Sequence, residues 1–240
     1  MAWENRRLGA IAAFPFLMFW FLASTVAYGT ACMATCFFNR RLSQFIAVAW
    51  CRHLLFMLGV RVMVKGGEKL ERGEPYVFFA NHQSALDIPV LYAGLARPLC
   101  FIAKRELFMI PFFGWAMAAV GHVSIDRSSA RKARESLSSG VQRLKKNSFS
   151  LLLFPEGTRS VDGTLGEFKQ GSFSLALDAG VAVVPVAVRK SSERLTKKKL
   201  LVNPGPVYLD ICDPVFPAGM GKGELAVRVK EAIAGIVSQE

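Results

Sequence analysis

From residue 8 to residue 38 the chain runs for 31 positions without one Asp, Glu, Lys or Arg. About 20 apolar residues in a helix cross the hydrocarbon core of a bilayer, so this stretch is long enough with residues to spare. A cleaved signal peptide competes with that reading. Its apolar core is usually about 7–15 residues, however, and no small-x-small cleavage site ends this stretch early. A buried hairpin of a soluble protein ranks below both. Membrane attachment is therefore expected, and Pro15 and Gly29 leave open either one straight span or a bent, shallow insertion.

The next segment differs. Residues 42–64, LSQFIAVAWCRHLLFMLGVRVMV, are apolar but carry Arg52, His53 and Arg61. That suits an amphipathic helix at the interface, its basic side chains reaching headgroups while Trp50 and Phe56 enter the apolar layer. A helix packed on a soluble domain fits almost as well, and His53 is expected to pack rather than to ligate. The formal charge of +12 suits anionic membranes, anionic substrates or nucleic acid. No helix-turn-helix, zinc-finger or RNP-type signature accompanies it, so nucleic acid is not expected as a partner. Arg40, Arg41 and Arg52 follow the first segment against Arg6 and Arg7 before it, which tilts the C-terminal bulk to the cytoplasmic side. The five cysteines, at 32, 36, 51, 100 and 212, form no CxxC pair. They fit a reducing compartment and neither a disulfide framework nor a metal site.

After residue 64 the texture changes. The linker KGGEKLERGEPY, closed by Pro75, separates a membrane-anchoring part, residues 1–64, from an α/β domain, residues 65–240. Short apolar runs at 76–80, 99–103, 122–126, 150–154, 182–188 and 207–211 read as strands, and helical patterns lie between them. Residues 130–146 place Ala133, Leu137, Val141 and Leu144 at helical spacing. Shorter helices are expected at 172–179, stopped by Gly180, and at 224–238. The fold class is thus α/β: a central, largely parallel or mixed sheet flanked by helices and preceded by a membrane-associated helical segment.

The residues that follow the strands are informative. The first is followed by Asn81 and His82, the second by Lys104, the third by Arg127, and the fourth by PEGTRS with Glu156 and Arg159. Ligands of open α/β sheets bind beyond the carboxyl ends of the strands, so one base and several cations converge on a single edge if these strands are parallel neighbours. His82 is one of three histidines, and Asp87 follows it by five positions. On a regular helix that spacing separates the two side chains, so they meet only across a turn. Pro89 supports a helix starting near Asp87. Asp87 or Ser84 then serves as an N-cap, and an N-cap carboxylate keeps lone pairs that an imidazole N–H can use.

These motifs resemble those of the glycerophospholipid acyltransferases, typified by 1-acylglycerol-3-phosphate O-acyltransferase. NHQSALD (81–87) resembles the family's first block, GHVSIDR (121–127) its second, FPEGTRS (154–160) its third and VVPVAV (183–188) its fourth. KREL (104–107) and FKQGS (168–172) also fit positions common in the family. The blocks stand in the family's order over residues 76–188. One departure lies in the second, where Val123 and Ser124 replace a bulkier apolar pair.

The resemblance implies transfer of a fatty acyl group from an acyl thioester, acyl-CoA or acyl-carrier protein, to the sn-2 hydroxyl of 1-acylglycerol-3-phosphate. The product is phosphatidate. A hydroxyl needs a positioned base at neutral pH, and neutral imidazole, titrating near about pH 6.5, is suited to it. His82 is then the general base, held by Asp87. Arg127 and Arg159, with Lys104, are expected on the acceptor's phosphate. Gly157 would let the 156–159 backbone approach the ligand, Thr158 belongs to the same loop, and Glu156 is expected to bind a substrate hydroxyl or hold an arginine. No cofactor or metal is implied. The apolar run at 107–120 suits an acyl groove or a plain core helix. The expected location is the cytoplasmic face of a membrane, as in a bacterial inner membrane. Another lysolipid acceptor, such as a lyso-ornithine lipid or a lysophospholipid, is the alternative within the class. From other classes, a thioester or lipid hydrolase and a non-catalytic lipid-binding protein remain; no G-x-S-x-G elbow is present for a serine hydrolase.

Overall fold

The computed structural model describes residues 2–125, 130–160, 164–195 and 202–238, with the side chains of 2–14, 130–134, 137, 143 and 147 left aside. Arg127, and residue 126 at the end of an expected strand, lie outside the described residues.

Two helices open the chain. α1 (Ala2–Cys36) runs without a break through Pro15, and α2 (Arg40–Met57) returns along it. Asn39 starts α2, its side-chain oxygen accepting the N–H of Leu42 at 3.1 Å. Thr35 and Ser43 hydroxyls meet at 2.9 Å across the turn, and further along the Trp20 indole donates to His53 Nε2 at 2.6 Å. His53 is thus a packing residue between the two helices. The opposite face of α1 carries Phe16, Phe19, Leu22 and Val26 at helical spacing, all exposed. Residues Pro15–Cys36 are long and apolar enough to cross a membrane.

The remaining strands and α-helices in chain order are β1 (Val60–Lys65), β2 (Val77–Ala80), α3 (Asp87–Leu95), β3 (Leu99–Lys104), α4 (Arg105–Phe108), α5 (Phe113–Val120) and β4 (Val123–Ile125). Then follow α6 (Ala130–Asn147), β5 (Ser150–Leu153), α7 (Gln170–Ala179), β6 (Val183–Arg189), α8 (Ser191–Arg194), β7 (Gly205–Ile211) and α9 (Lys222–Val237). The strands form one mixed sheet in the order β1-β7-β6-β2-β5-β3-β4, with only β6 and β7 paired antiparallel. The sheet flanked by helices is the architecture expected.

One expectation is corrected. The amphipathic helix read over residues 42–64 stops at Met57, and Val60–Lys65 is a strand pairing in parallel with β7. The sheet therefore takes its first strand from the stretch assigned to the membrane-associated front part. Gly59 makes the break: it sits at φ +65°, where a side chain is strained, and a Cβ there would come within 2.9 Å of Pro204.

The core follows from strand alternation. Phe78 and Ala80 of β2 point to one face with Leu152, Val184 and Val186, where α2, α3 and α5 pack. Val77 and Phe79 point to the other with Leu151, Leu153, Val183 and Ala187, where α6, α7 and α9 pack. From β2 the chain leaves by α3 toward β3; from its neighbour β5 it leaves by α7, on the opposite face, toward β6. Adjacent strands whose connections depart in opposite senses open a crevice at their carboxyl ends. The loops bearing His82 and residues 154–160 flank it.

Candidate active site

The turn after β2 brings His82 and Asp87 together. His82 Nδ1 lies 2.8 Å from Asp87 Oδ2, and the carboxylate is fully buried. The same oxygen accepts the backbone N–H groups of Gln83 at 2.7 Å and Ser84 at 2.8 Å. Asp87 stands at the first residue of α3, yet it caps the turn before the helix rather than the helix itself. Every neighbour of Oδ2 is a donor, so His82 carries its proton on Nδ1 and presents the Nε2 lone pair outward. The imidazole is stacked on Phe154, ring centroids 4.1 Å apart.

Neighbouring side chains hold this turn in place. Asn81 is buried and brackets Val188 of β6, donating to its carbonyl at 2.8 Å and accepting its N–H at 2.7 Å. Ser84 donates to the carbonyl of Leu195 at 2.8 Å and accepts from the N–H of Leu86. From the β5 side, Glu156 accepts the N–H of His82 at 2.8 Å and that of Gly166 at 3.0 Å. Burial pushes its carboxyl above the usual range, and the two amides oppose that rise. Ser160 N–H closes the set on the carbonyl of His82 at 2.8 Å.

His82 opens into a cavity of about 1690 Å³. Its polar end is lined by His82, Lys104, Gly157, Thr158, Arg159 and Lys169, and its apolar end by Phe21, Trp50, Leu54, Met57, Leu107 and Phe113. The apolar end is bounded by α1, α2 and the 107–113 segment, so the helices expected to reach the membrane also wall the site. Trp50 packs between Phe21 and Phe113 there.

The expected site residues thus converge, with two distinctions. Lys104 ends β3, exposed, and Gly157 holds φ +74°, Thr158 and Arg159 following it along the cavity wall. Glu156, by contrast, turns both oxygens onto backbone amides rather than onto the cavity. Arg127 is among the residues not described. The reading of single residues missed Lys169, Phe154 and Ser160. Lys169 lies over the 157 backbone, where a Cβ on Gly157 would come within 2.9 Å of its ammonium. The FKQGS run was the available signal, since a lysine there enters α7 beside the β5 loop. Among the described residues no group of three or more His, Cys, Asp or Glu side chains is placed to hold a metal.

A His–Asp pair thus opens onto a cavity that carries both cationic side chains and an apolar lining. Residues 61–189 match the model of the Acyltransferase family. The chain is 35% identical to the 1-acyl-sn-glycerol-3-phosphate acyltransferase of Saccharomyces cerevisiae, over 91% of this chain and 74% of that one. It is 34% identical to the enzyme of the same name from Pseudomonas aeruginosa, over 76% and 72%. The crystal structure of the 1-acyl-sn-glycerophosphate (LPA) acyltransferase PlsC from Thermotoga maritima superposes with a TM-score of 0.85 at 28% identity, covering 98% of this chain and 97% of that one. The chain belongs to the Acyltransferase family, and it is an acyltransferase.

Proposed function

We propose that this protein transfers a fatty acyl group from an acyl thioester, acyl-CoA or acyl-carrier protein, to the sn-2 hydroxyl of 1-acylglycerol-3-phosphate, giving phosphatidate. The observation that carries the reading is the 2.8 Å contact of His82 with Asp87 at the head of the cavity. His82 Nε2 takes the proton of the acceptor hydroxyl as its oxygen attacks the thioester carbonyl carbon. Asp87 stabilises the imidazolium that forms. The tetrahedral intermediate then collapses, the C–S bond breaks, and the leaving thiolate takes the proton from His82. A new ester bond and a free thiol result. General-base assistance of this kind contributes about 10²–10⁴ in rate.

The acceptor's phosphate is taken by Arg159, with Lys104 beside it, because guanidinium matches phosphate oxygens bidentately. Arg127 is assigned the same task from its motif. Gly157 and Thr158 form the wall along which the glycerol lies. The acyl chain occupies the apolar end between Trp50, Phe21 and Phe113. The exposed apolar face of α1 rests in the lipid, and the basic excess favours the cytoplasmic leaflet of a phospholipid membrane, in keeping with a bacterial inner membrane. No cofactor enters the step.

The test is purified protein in detergent or vesicles with a labelled acyl thioester and a panel of lysolipids. Label in phosphatidate with 1-acylglycerol-3-phosphate as acceptor is the expected result. Label in another diacyl lipid would reassign the acceptor, and label released as free fatty acid would make the protein a hydrolase.

A further inference from the structure

The 154–160 segment does more than line the acceptor's end of the cavity. Its Glu156 is 7% exposed, accepts the N–H of His82 with one carboxylate oxygen at 2.8 Å, and accepts the N–H of Gly166 with the other at 3.0 Å. The next turn of the same segment returns to His82, where the Ser160 N–H reaches the carbonyl oxygen at 2.8 Å. Phe154 stacks on the ring. Three residues of one loop thus grip the main chain and the ring face of His82, while Asp87 grips Nδ1. Both carboxylate oxygens are thus directed at main-chain amides, and Glu156 is not among the residues that line the cavity, although Pro155 and Gly157 on either side of it are.

We propose that Glu156 is a positioning residue for the general base, holding the His82 backbone and adding a second negative charge beside the imidazolium, and that it does not bind the acceptor. This rests on the reading of His82 as the base. The consequence is physical. When His82 takes the proton, its positive charge is stabilised by Asp87 from α3 and by Glu156 from the β5–α7 loop. The cations sharing the cavity, Lys104, Arg159 and Lys169, act against it. Coulombic coupling between Glu156 and His82 is consistent with that placement.

The test is Glu156→Gln in the full chain, with wild type and His82→Ala alongside, measuring kcat and acceptor KM across pH. Glutamine keeps the shape but has one acceptor oxygen, so its NH₂ opposes the N–H of His82 or of Gly166. The expected result is a kcat lower by about 10–100-fold with acceptor KM unchanged. The acidic limb of the kcat–pH profile also moves to lower pH, because a charge that favoured protonated His82 is gone. A raised acceptor KM with kcat intact would make Glu156 a substrate ligand and overturn the proposal. Wild-type kcat, KM and pH profile would overturn it too. Turnover surviving in His82→Ala would instead sink the general-base reading. Should Glu156→Gln not purify folded, Gly166→Ala carries the test, since a Cβ there would come within 2.9 Å of Glu156 Oε2 and displace the carboxylate without removing its charge. Gly166→Ala is expected to lower kcat and leave acceptor KM alone, and wild-type kinetics in it would count against the proposal.

Discussion

Asp87 meets His82 across a turn rather than along a helix, with 2.8 Å between Oδ2 and Nδ1. Because the carboxylate also accepts two backbone amides, it fixes both the ring's orientation and its tautomer. Asparagine at 87 keeps the shape and loses the charge. Its NH₂ can also turn toward the ring and draw Nδ1 into the acceptor role, which moves the proton to Nε2 and removes the base. Asp87→Asn is expected to lower kcat by about 10³–10⁴-fold, the scale of the same change in a Ser-His-Asp triad. His82→Ala should abolish transfer while the protein still folds and binds membranes. Initial rates with labelled thioester, beside far-UV circular dichroism, check both.

The phosphate end supplies a second test. Arg159 and Lys169 stand on the same stretch of cavity wall, and Lys169 has no ion-pair partner among the described residues. Fixed cations there favour a dianionic headgroup and do nothing for a neutral one. Arg159→Ala, and Lys169→Met separately, should raise KM for a phosphate-bearing acceptor by about 10–100-fold, with smaller effects on kcat. A neutral monoacylglycerol serves as control, and its KM should stay put.

Most of this was legible in the sequence, for a definite reason. Buried parallel strands such as β2 and β5 are continuous apolar runs, and polar residues cut each off at the sheet edge, so VFFA-NH and SLLL-FPEGTR announce both strand and site. β1 was lost because VRVMVK follows directly on an apolar helix and was averaged into it. The signals were Gly59 at the helix end and the strict alternation of valines beyond it. The contacts of Glu156 were not legible for another reason. Its partners are backbone N–H groups of His82 and Gly166, and a sequence gives no sign of which amides a fold will leave needing an acceptor.

Packing beneath the site gives a stability prediction. Gly94 lets α3 lie close against β1 and β7: a Cβ there would collide with Leu209 and approach Val64 to 3.2 Å. Since α3 begins with Asp87, anything that pushes it off the sheet also moves the dyad. Gly94→Ala overpacks this contact and should cost about 1–3 kcal/mol. For a chain of this size each kcal/mol lowers Tm by about 2–4 °C, so a fall of several degrees is expected in differential scanning fluorimetry.

The last prediction concerns the outer face of α1. Phe16, Phe19 and Leu22 are 59%, 66% and 56% exposed, a stripe of large apolar groups that water would penalise and hydrocarbon would accept. The opposite face of the helix is occupied, with Phe21 against Trp50 and Cys32 against Ser43, so the two faces have separable roles. Changing Phe16, Phe19 and Leu22 together to Asn should spare the fold and the cavity and remove membrane affinity. Co-sedimentation with anionic phospholipid vesicles measures the loss, which should not depend on salt because the lost term is apolar. Transfer to an acceptor embedded in those vesicles should then fall far more than transfer to a short-chain acceptor in solution. Equal losses for the two acceptors would mean that the stripe acts through the catalytic site rather than through the lipid.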